Sequence, residues 1–420
     1  MGEITTKELA ENLHKYKVID IRPIDAYNGW KEGGEARGGH IKGAKTLPYK
    51  WLHYIDWIEI VRNKGILPED PLVIYGYDMH KTEEVARQFE KAGYPDVTVF
   101  NSFLEWAEKD LPMEHLERYS QLVSADWLDQ LITTNNAPEY NNNKFVLCHS
   151  HYRNPSDYEK GHIPGAISID TNSLEYEDTW NRRSPEELKE VLENAGITHD
   201  TTVILYGRFS SPNNDDPFPG SSAGHLGAMR CAFIMLYAGV KDVRILNGGI
   251  QSWLDSGYEI TKDPAKNNKV SFGIDIPQKP EILVDLEEAK EILSSPDKNL
   301  VCIRSWREYI GEVSGYHYIE EKGRIPGAVF GDCGTDAYHM ENYRNLDHTM
   351  SEAQEVAEIW EKIGIVPEKR NAFYCGTGWR GSEAFFNAWL MGWDKAAVYD
   401  GGWLEWSNND LPSERGVPKQ

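Results

Sequence analysis

One cysteine in this chain stands where a nucleophile would. The run Cys375-Gly376-Thr377-Gly378-Trp379-Arg380 follows the apolar residues Ala372, Phe373 and Tyr374 and leads into a helix-like segment. A loop closing between a strand end and a helix start turns backbone N–H groups, and the positive end of the helix, toward whatever it encloses. Here that is the sulfur. Two glycines within three residues let the backbone take positive φ and curl its amides inward as an anion nest. Such a nest favours thiolate: at a free pKa of ~8.5 about 3% of a thiol is ionised at pH 7, whereas at ~6.5 most of it is. Cys375 is therefore the expected nucleophile, provided a donor can reach it.

The neighbours are read the same way. Arg380 falls in the first turn of the following helix, where a cation opposes the dipole by roughly 0.3–1 kcal/mol. Its charge is expected to hold an anionic donor or the thiolate; the competing expectation is an ion pair with Glu383 or another acid. Gly376 and Gly378 are expected to shape the loop. Thr377 either donates its hydroxyl to the sulfur or shapes the backbone, and Trp379 either covers the site or fills core.

The elements that must position this loop occur three times. A short strand with a helix start recurs at residues 4–9, 123–128 and 284–288, with Thr5, Ser124 or Asp285 where an N-cap belongs. A hexad recurs as Gly39-His40-Ile41-Lys42-Gly43-Ala44, Gly161-His162-Ile163-Pro164-Gly165-Ala166 and Gly323-Arg324-Ile325-Pro326-Gly327-Ala328. Apolar strands end at Gly76, Gly207 and Cys375, and a closing strand and helix span residues 97–106, 243–253 and 397–406. Strand patterns alternating with helical ones predict an α/β fold of three tandem domains, each a parallel sheet flanked by helices. The expected domains are 1–113, 117–262 and 281–420, with a surface linker over 261–280. Only the third is armed, because Gly76 and Gly207 replace the nucleophile. Residues 208–230, rich in Pro, Gly, Ser and Asn, read as a mobile insertion or a flap over the third domain's site.

The loop, with Val398-Tyr399-Asp400-Gly401-Gly402-Trp403, resembles the active domain of the rhodanese superfamily of sulfurtransferases. The threefold repeat extends the likeness through the chain, to the three-repeat thiosulfate sulfurtransferases of bacteria. The resemblance implies silent first and second domains and a double displacement. Cys375 takes sulfur from a small anionic donor as a persulfide, then passes it to a thiol acceptor, a protein among the candidates, or to cyanide. It implies no cofactor and no metal. It also implies that Arg304, in the place of the arginine of an Asp-x-Arg motif, binds the donor. Repeat one keeps that motif as Asp20-Ile21-Arg22, but here Cys302 replaces the aspartate.

Two donors stay open. Glu308 stands where mercaptopyruvate-using relatives carry an arginine, which favours thiosulfate, while the uncharged Gly376 and Thr377 resemble the mercaptopyruvate loop. Thiosulfate is the reading adopted. Phosphatases and arsenate reductases that share this architecture place arginine six positions after cysteine; here it is five, a tighter loop that suits sulfur better than phosphate. A persulfide carrier with little turnover is the alternative outside catalysis.

Composition bounds the partners. A length of 420 residues suits about three domains of ~150 residues. A net charge of -23 argues against nucleic acid and anionic membranes, and means that an anionic substrate needs local positive charge. With no run of eighteen apolar residues and no signal-peptide pattern at its start, the chain is expected to be soluble and cytoplasmic as given, or exported if a leader was removed. Five scattered cysteines make no disulfide framework. Cys148, Cys231, Cys302 and Cys333 are expected to be buried and inert, and Cys148-His149-Ser150-His151 alone is too little for a zinc site.

Overall fold

The computed structural model describes residues 2–208 and 224–418. The chain forms two compact units, Met1–Ser120 and Gln121–Gln420. The first holds one five-stranded sheet and the second holds two. Every pairing within these three sheets is parallel.

All three sheets share one topology. In chain order the strands of the third are Leu283–Val284, Lys298–Cys302, Val329–Phe330, Arg370–Tyr374 and Ala396–Tyr399. Across the sheet they run first, fifth, fourth, second, third, and the other two sheets repeat that order. Parallel neighbours need long crossovers, and helices supply most of them. The fourth strand is thus central and covered on both faces, which accounts for the uniformly apolar Ala372-Phe373-Tyr374. In the first unit the two-residue period of the strands divides the core. Val18 and Val73 face one apolar cluster, while Ile19 and Ile74 face the other.

Local signals place the helices. Thr5, Ser124 and Asp285 each accept the backbone N–H three residues on, at 3.3, 3.1 and 2.9 Å, and so cap Thr6–Asn12, Ala125–Thr134 and Leu286–Ile292. Caps of this kind are worth about 1 kcal/mol each.

Two stretches differ from expectation. Of the insertion read over 208–230, residues 209–223 lie outside the described residues. From Gly224 the chain is already the helix Gly224–Ala238, buried along its whole length. A helix apolar all round belongs inside, and this one packs against Trp379–Leu390, with Phe233 and Phe385 edge to face at 5.2 Å. The polar stretch 261–280 is also tied down. Thr261 exchanges backbone bonds of 2.8 and 2.9 Å with His162, and fully buried Phe272 accepts the His199 N–H at 3.0 Å. Among the described residues no helix is long and apolar enough to cross a membrane.

Candidate active site

Cys375 follows directly on Arg370–Tyr374, between the strands Lys298–Cys302 and Ala396–Tyr399. This is the carboxyl edge of a parallel sheet at the point where the strand order reverses, where open α/β sheets hold their ligands. The helix Trp379–Leu390 begins four residues on. The Cys375 and Gly376 carbonyls turn away from the loop and accept the Trp403 and Leu404 N–H groups at 2.9 and 3.0 Å. Those donors belong to the first turn of Gly402–Asn408, which gives the Asp-Gly-Gly-Trp motif its structural role. Among the described residues no carbonyl takes the amide hydrogens of Gly376, Thr377, Gly378, Trp379 or Arg380. That leaves these amides without carbonyl partners, as a nest requires.

The two loop glycines serve different ends. Gly378 sits at φ +91°, in the left-handed region. Gly376 is needed for space, because a Cβ there would fall 2.1 Å from a ring carbon of Tyr316. Gly376→Ala must move either the ring or the loop, and a shift of ~1 Å at a reacting centre costs on the order of 10²-fold. We expect persulfide formation, followed by intact mass against time, to slow by at least tenfold. Loading at the parental rate would mean that the contact is dispensable.

The arginines are engaged away from the donor. Arg380 is fully buried, and its guanidinium grips Glu308 through bonds of 2.8 and 2.9 Å. The same two Nη groups also reach the Tyr316 hydroxyl at 3.0 Å, the Asp336 carbonyl at 3.2 Å and Cys333 Sγ at 3.1 Å, while Nε has no hydrogen-bond partner among the described residues. Glu383, the neighbour considered as its partner, pairs with Arg344 instead. Arg304, also fully buried, donates to Cys302 Sγ at 3.3 Å and to the Gly323 carbonyl at 2.5 Å. In the first unit Arg22 makes the same latch, from Asp20 to the Gly39 carbonyl at 2.7 Å. Because a domain without a nucleophile carries it too, the latch ties a strand end to the hexad turn. Neither Arg304 nor Arg380 lines the cavity described next.

A cavity of about 490 Å³ opens beside the loop, between the second and third repeats. Its walls include Tyr152, Trp180, Tyr316, Tyr318, Tyr338 and Trp379. Trp180 stacks on Tyr318 and on Tyr152, both at 5.2 Å, and meets Trp379 edge-on at 5.8 Å. Tyr316 lies 5.2 Å from Tyr318 and 5.9 Å from Tyr338. Charge is sparse: Arg153, Glu177 and Asp178 line the cavity, and Arg153 pairs with Glu177 at 3.4 Å. Thr377 lines it as well. Cys375 itself has no exposed surface. Tyr316, Thr377 and Trp379 are the parts of its surroundings that the cavity touches.

The other thiols are buried too. Burial pushes Cys148 and Cys333 up to about 12, and raises Cys231 as well. His149, of the Cys148–His151 cluster, sits between the Tyr158 and Tyr206 rings, and burial lowers its pKa to about 3. Among the described residues no group of three or more His, Cys, Asp and Glu side chains is disposed to hold a metal ion.

A rhodanese-like domain model matches the chain three times, over residues 5–109, 124–256 and 285–409. The protein belongs to the rhodanese-like family. This rhodanese-like chain is similar to thiosulfate sulfurtransferase YnjE of Escherichia coli, 39% identical over 398 residues that span 94% of this chain and 87% of that one. Sulfur carrier protein TtuD of Thermus thermophilus is 29% identical over 304 residues, 68% of this chain and 93% of its own. Among solved structures, wild-type EanB superposes with a TM-score of 0.97 at 58% identity, covering 99% of this chain and 98% of EanB. Other EanB structures hold hercynine, or ergothioneine linked covalently to a cysteine persulfide. That cysteine, and the threonine, tyrosine and two further cysteines substituted in the same series, are spaced as Cys375, Thr377, Tyr316, Cys302 and Cys333 are spaced here. The protein is a sulfurtransferase by family.

Apart from Trp379, the aromatic wall is not among the residues that the sequence singles out. Tyr316-His317-Tyr318, Tyr338 and the stretch holding Trp180 sit between the repeated landmarks, where a search for repeats does not look. Their signal is an excess of aromatic residues in segments with neither strand nor helix period.

Proposed function

We propose that this rhodanese-like protein carries sulfane sulfur as a Cys375 persulfide and delivers it to the imidazole C2 of hercynine, giving ergothioneine. The aromatic cavity carries this reading. Hercynine is a histidine betaine bearing a trimethylammonium group, and aromatic faces attract quaternary ammonium by about 0.5–2 kcal/mol per contact. Thiosulfate, a dianion, has less to hold it there than a cationic acceptor has. Arg304 and Arg380 are engaged elsewhere, and Arg153 is balanced by Glu177 and Asp178. Similarity to EanB, with solved structures in complex with hercynine and with ergothioneine, supports the same acceptor.

In the first half-reaction Cys375 thiolate attacks the outer sulfur of a sulfane donor such as thiosulfate, the donor's S–S bond breaks, and sulfite leaves. The donor enters from the cavity past Tyr316 and Thr377, whose side chains must move to uncover the sulfur. In the second, the outer persulfide sulfur bonds to imidazole C2 while the S–S electron pair returns to Cys375. The C2 proton is lost and the thione remains. Carbon gives up the two electrons that the sulfane sulfur gains, so the balance needs no other oxidant. The loop amides stabilise the anionic sulfur in both steps. Tyr316 stands between Arg380 and the loop, where its hydroxyl can manage the moving proton.

The test supplies hercynine with thiosulfate or inorganic polysulfide and follows ergothioneine by mass. Product with either donor, lost in Cys375→Ser, is expected. Steady thiocyanate from thiosulfate and cyanide without ergothioneine would instead favour a thiosulfate sulfurtransferase, the reading that similarity to YnjE supports. One sulfur per chain without turnover to any acceptor would favour a persulfide carrier, as similarity to TtuD suggests.

A further inference from the structure

The second repeat has no nucleophile, yet it sends two charged side chains behind the loop of the third. Glu175 is fully buried and accepts the indole Nε1–H of Trp379 at 2.8 Å. It also accepts the Nε–H of Arg230, itself fully buried on the helix Gly224–Ala238. Arg230 Nη2 donates to Asp400 Oδ1 at 2.5 Å and to the Trp180 carbonyl at 3.2 Å. Its Nη1 has no hydrogen-bond partner among the described residues and faces the loop: a Cβ built on Gly378 would come within 3.2 Å of it. Asp400 also accepts the backbone N–H and an Nη1–H of Arg182, both at 3.1 Å. Two acids and two arginines thus balance inside the interface of the two repeats.

Trp379 has a double membership, as the fourth residue after Cys375 and as a wall of the cavity. What fixes its ring therefore couples the loop to the acceptor site. Glu175 fixes it from another domain, and Arg230, held by Glu175, backs Gly378 from behind. Burial pushes the Glu175 carboxyl up to about 7, against the pull of Arg230 and Trp379. Glutamine in its place keeps the length of the side chain and one accepting oxygen, and Arg230 keeps its pairing with Asp400, so one of the two Glu175 contacts can be removed with the interface otherwise in place.

We propose that Glu175 is a positioning residue for sulfur transfer, acting through Trp379 and Arg230 on the loop that carries Cys375. The silent second domain then supplies part of the catalytic geometry. The inference rests on the Cys375 persulfide proposed above and not on hercynine as acceptor.

The experiment loads the full-length protein with polysulfide, counts the bound sulfur by intact mass, and times discharge of the persulfide to cyanide in one turnover. Cyanide is small enough to need no aromatic wall, so the result stands even where no ergothioneine forms. Glu175→Gln should load one sulfur as the parent does, and is compared with Trp379→Phe once both are loaded. Each should discharge it roughly tenfold more slowly at saturating cyanide, with the half-saturating concentration changed less than about twofold. Because both lose the contact between Trp379 and Glu175, the double variant should be no slower than Glu175→Gln alone. Parental discharge in Glu175→Gln, or effects that multiply to about a hundredfold, would overturn the proposal. If Glu175→Gln does not fold, Trp379→Phe decides: tenfold slowing sustains it and the parental rate overturns it. A parent that takes up no sulfur would count against the persulfide reading itself.

Discussion

Cys375→Ser is expected to lose sulfur transfer by roughly 10⁴-fold or more, leaving only what binding alone contributes. The substitution is nearly isosteric and sits in a loop already held by main-chain bonds to Trp403 and Leu404, so the fold should survive. What goes is the chemistry. A serine oxygen stays protonated near neutral pH and forms no persulfide. Burial raises the pKa of Cys148, Cys231 and Cys333, which disfavours the thiolates that would replace that of Cys375. Intact mass after exposure to a sulfane donor should show a gain of one sulfur in the parent and none in the variant. A serine variant that still gains sulfur, or turns over at the parental rate, would remove Cys375 from the mechanism.

Glu308→Ala should be the most destabilising single change at the site. Glu308 and Arg380 are both fully buried, and their two bonds are 2.8 and 2.9 Å. Burial alone would raise the Glu308 carboxyl, but the attraction and hydrogen bonds of Arg380 outweigh it, and its pKa lies below the usual value. Removing one partner of such a pair strands a buried charge, at a cost of about 3–5 kcal/mol. For a unit of this size that is roughly 10 °C in Tm.

The pH dependence has a definite sign. Since the folded pKa is depressed, the contribution is present above the unfolded carboxylate value and is lost as pH falls through the lowered one. Glu308→Ala should lack that acid step. Replacing both partners, as Glu308→Leu with Arg380→Met, should recover most of the lost stability, because well-packed apolar substitutes for a buried pair are often neutral. It should not recover activity, since Arg380 also holds the Tyr316 hydroxyl and the Asp336 carbonyl. A Glu308→Ala protein that melts within about 1 °C of the parent would mean that the pair does not hold the site.

A good part of this was legible in the chain. The threefold recurrence of short strand, Gly-x-Ile-x-Gly-Ala turn, apolar strand and closing helix determined the α/β architecture, because period and turn chemistry are local properties. The same recurrence, with cysteine in one copy and glycine in two, singled out Cys375. Helix caps at Thr5, Ser124 and Asp285 were readable for the same reason: a cap is satisfied within three residues.

What lay beyond the sequence was every pairing across it. A helix-start arginine invites a substrate anion until a glutamate seventy-two residues away, Glu308, is folded against it. Arg304 looks available until the hexad turn closes on it at Gly323. The cavity needs Tyr152 and Trp180 from one repeat and Tyr316, Tyr318, Tyr338 and Trp379 from the other, and none of these has a periodic signature. Sequence alone determined the fold and pointed to Cys375 as the proposed nucleophile, since both readings follow from neighbours in the chain. Which charges remain free to meet a substrate, and what surface that substrate meets, was decided only by tertiary structure, because buried charges are compensated and aromatic walls assembled by residues that only the packing of two repeats brings together.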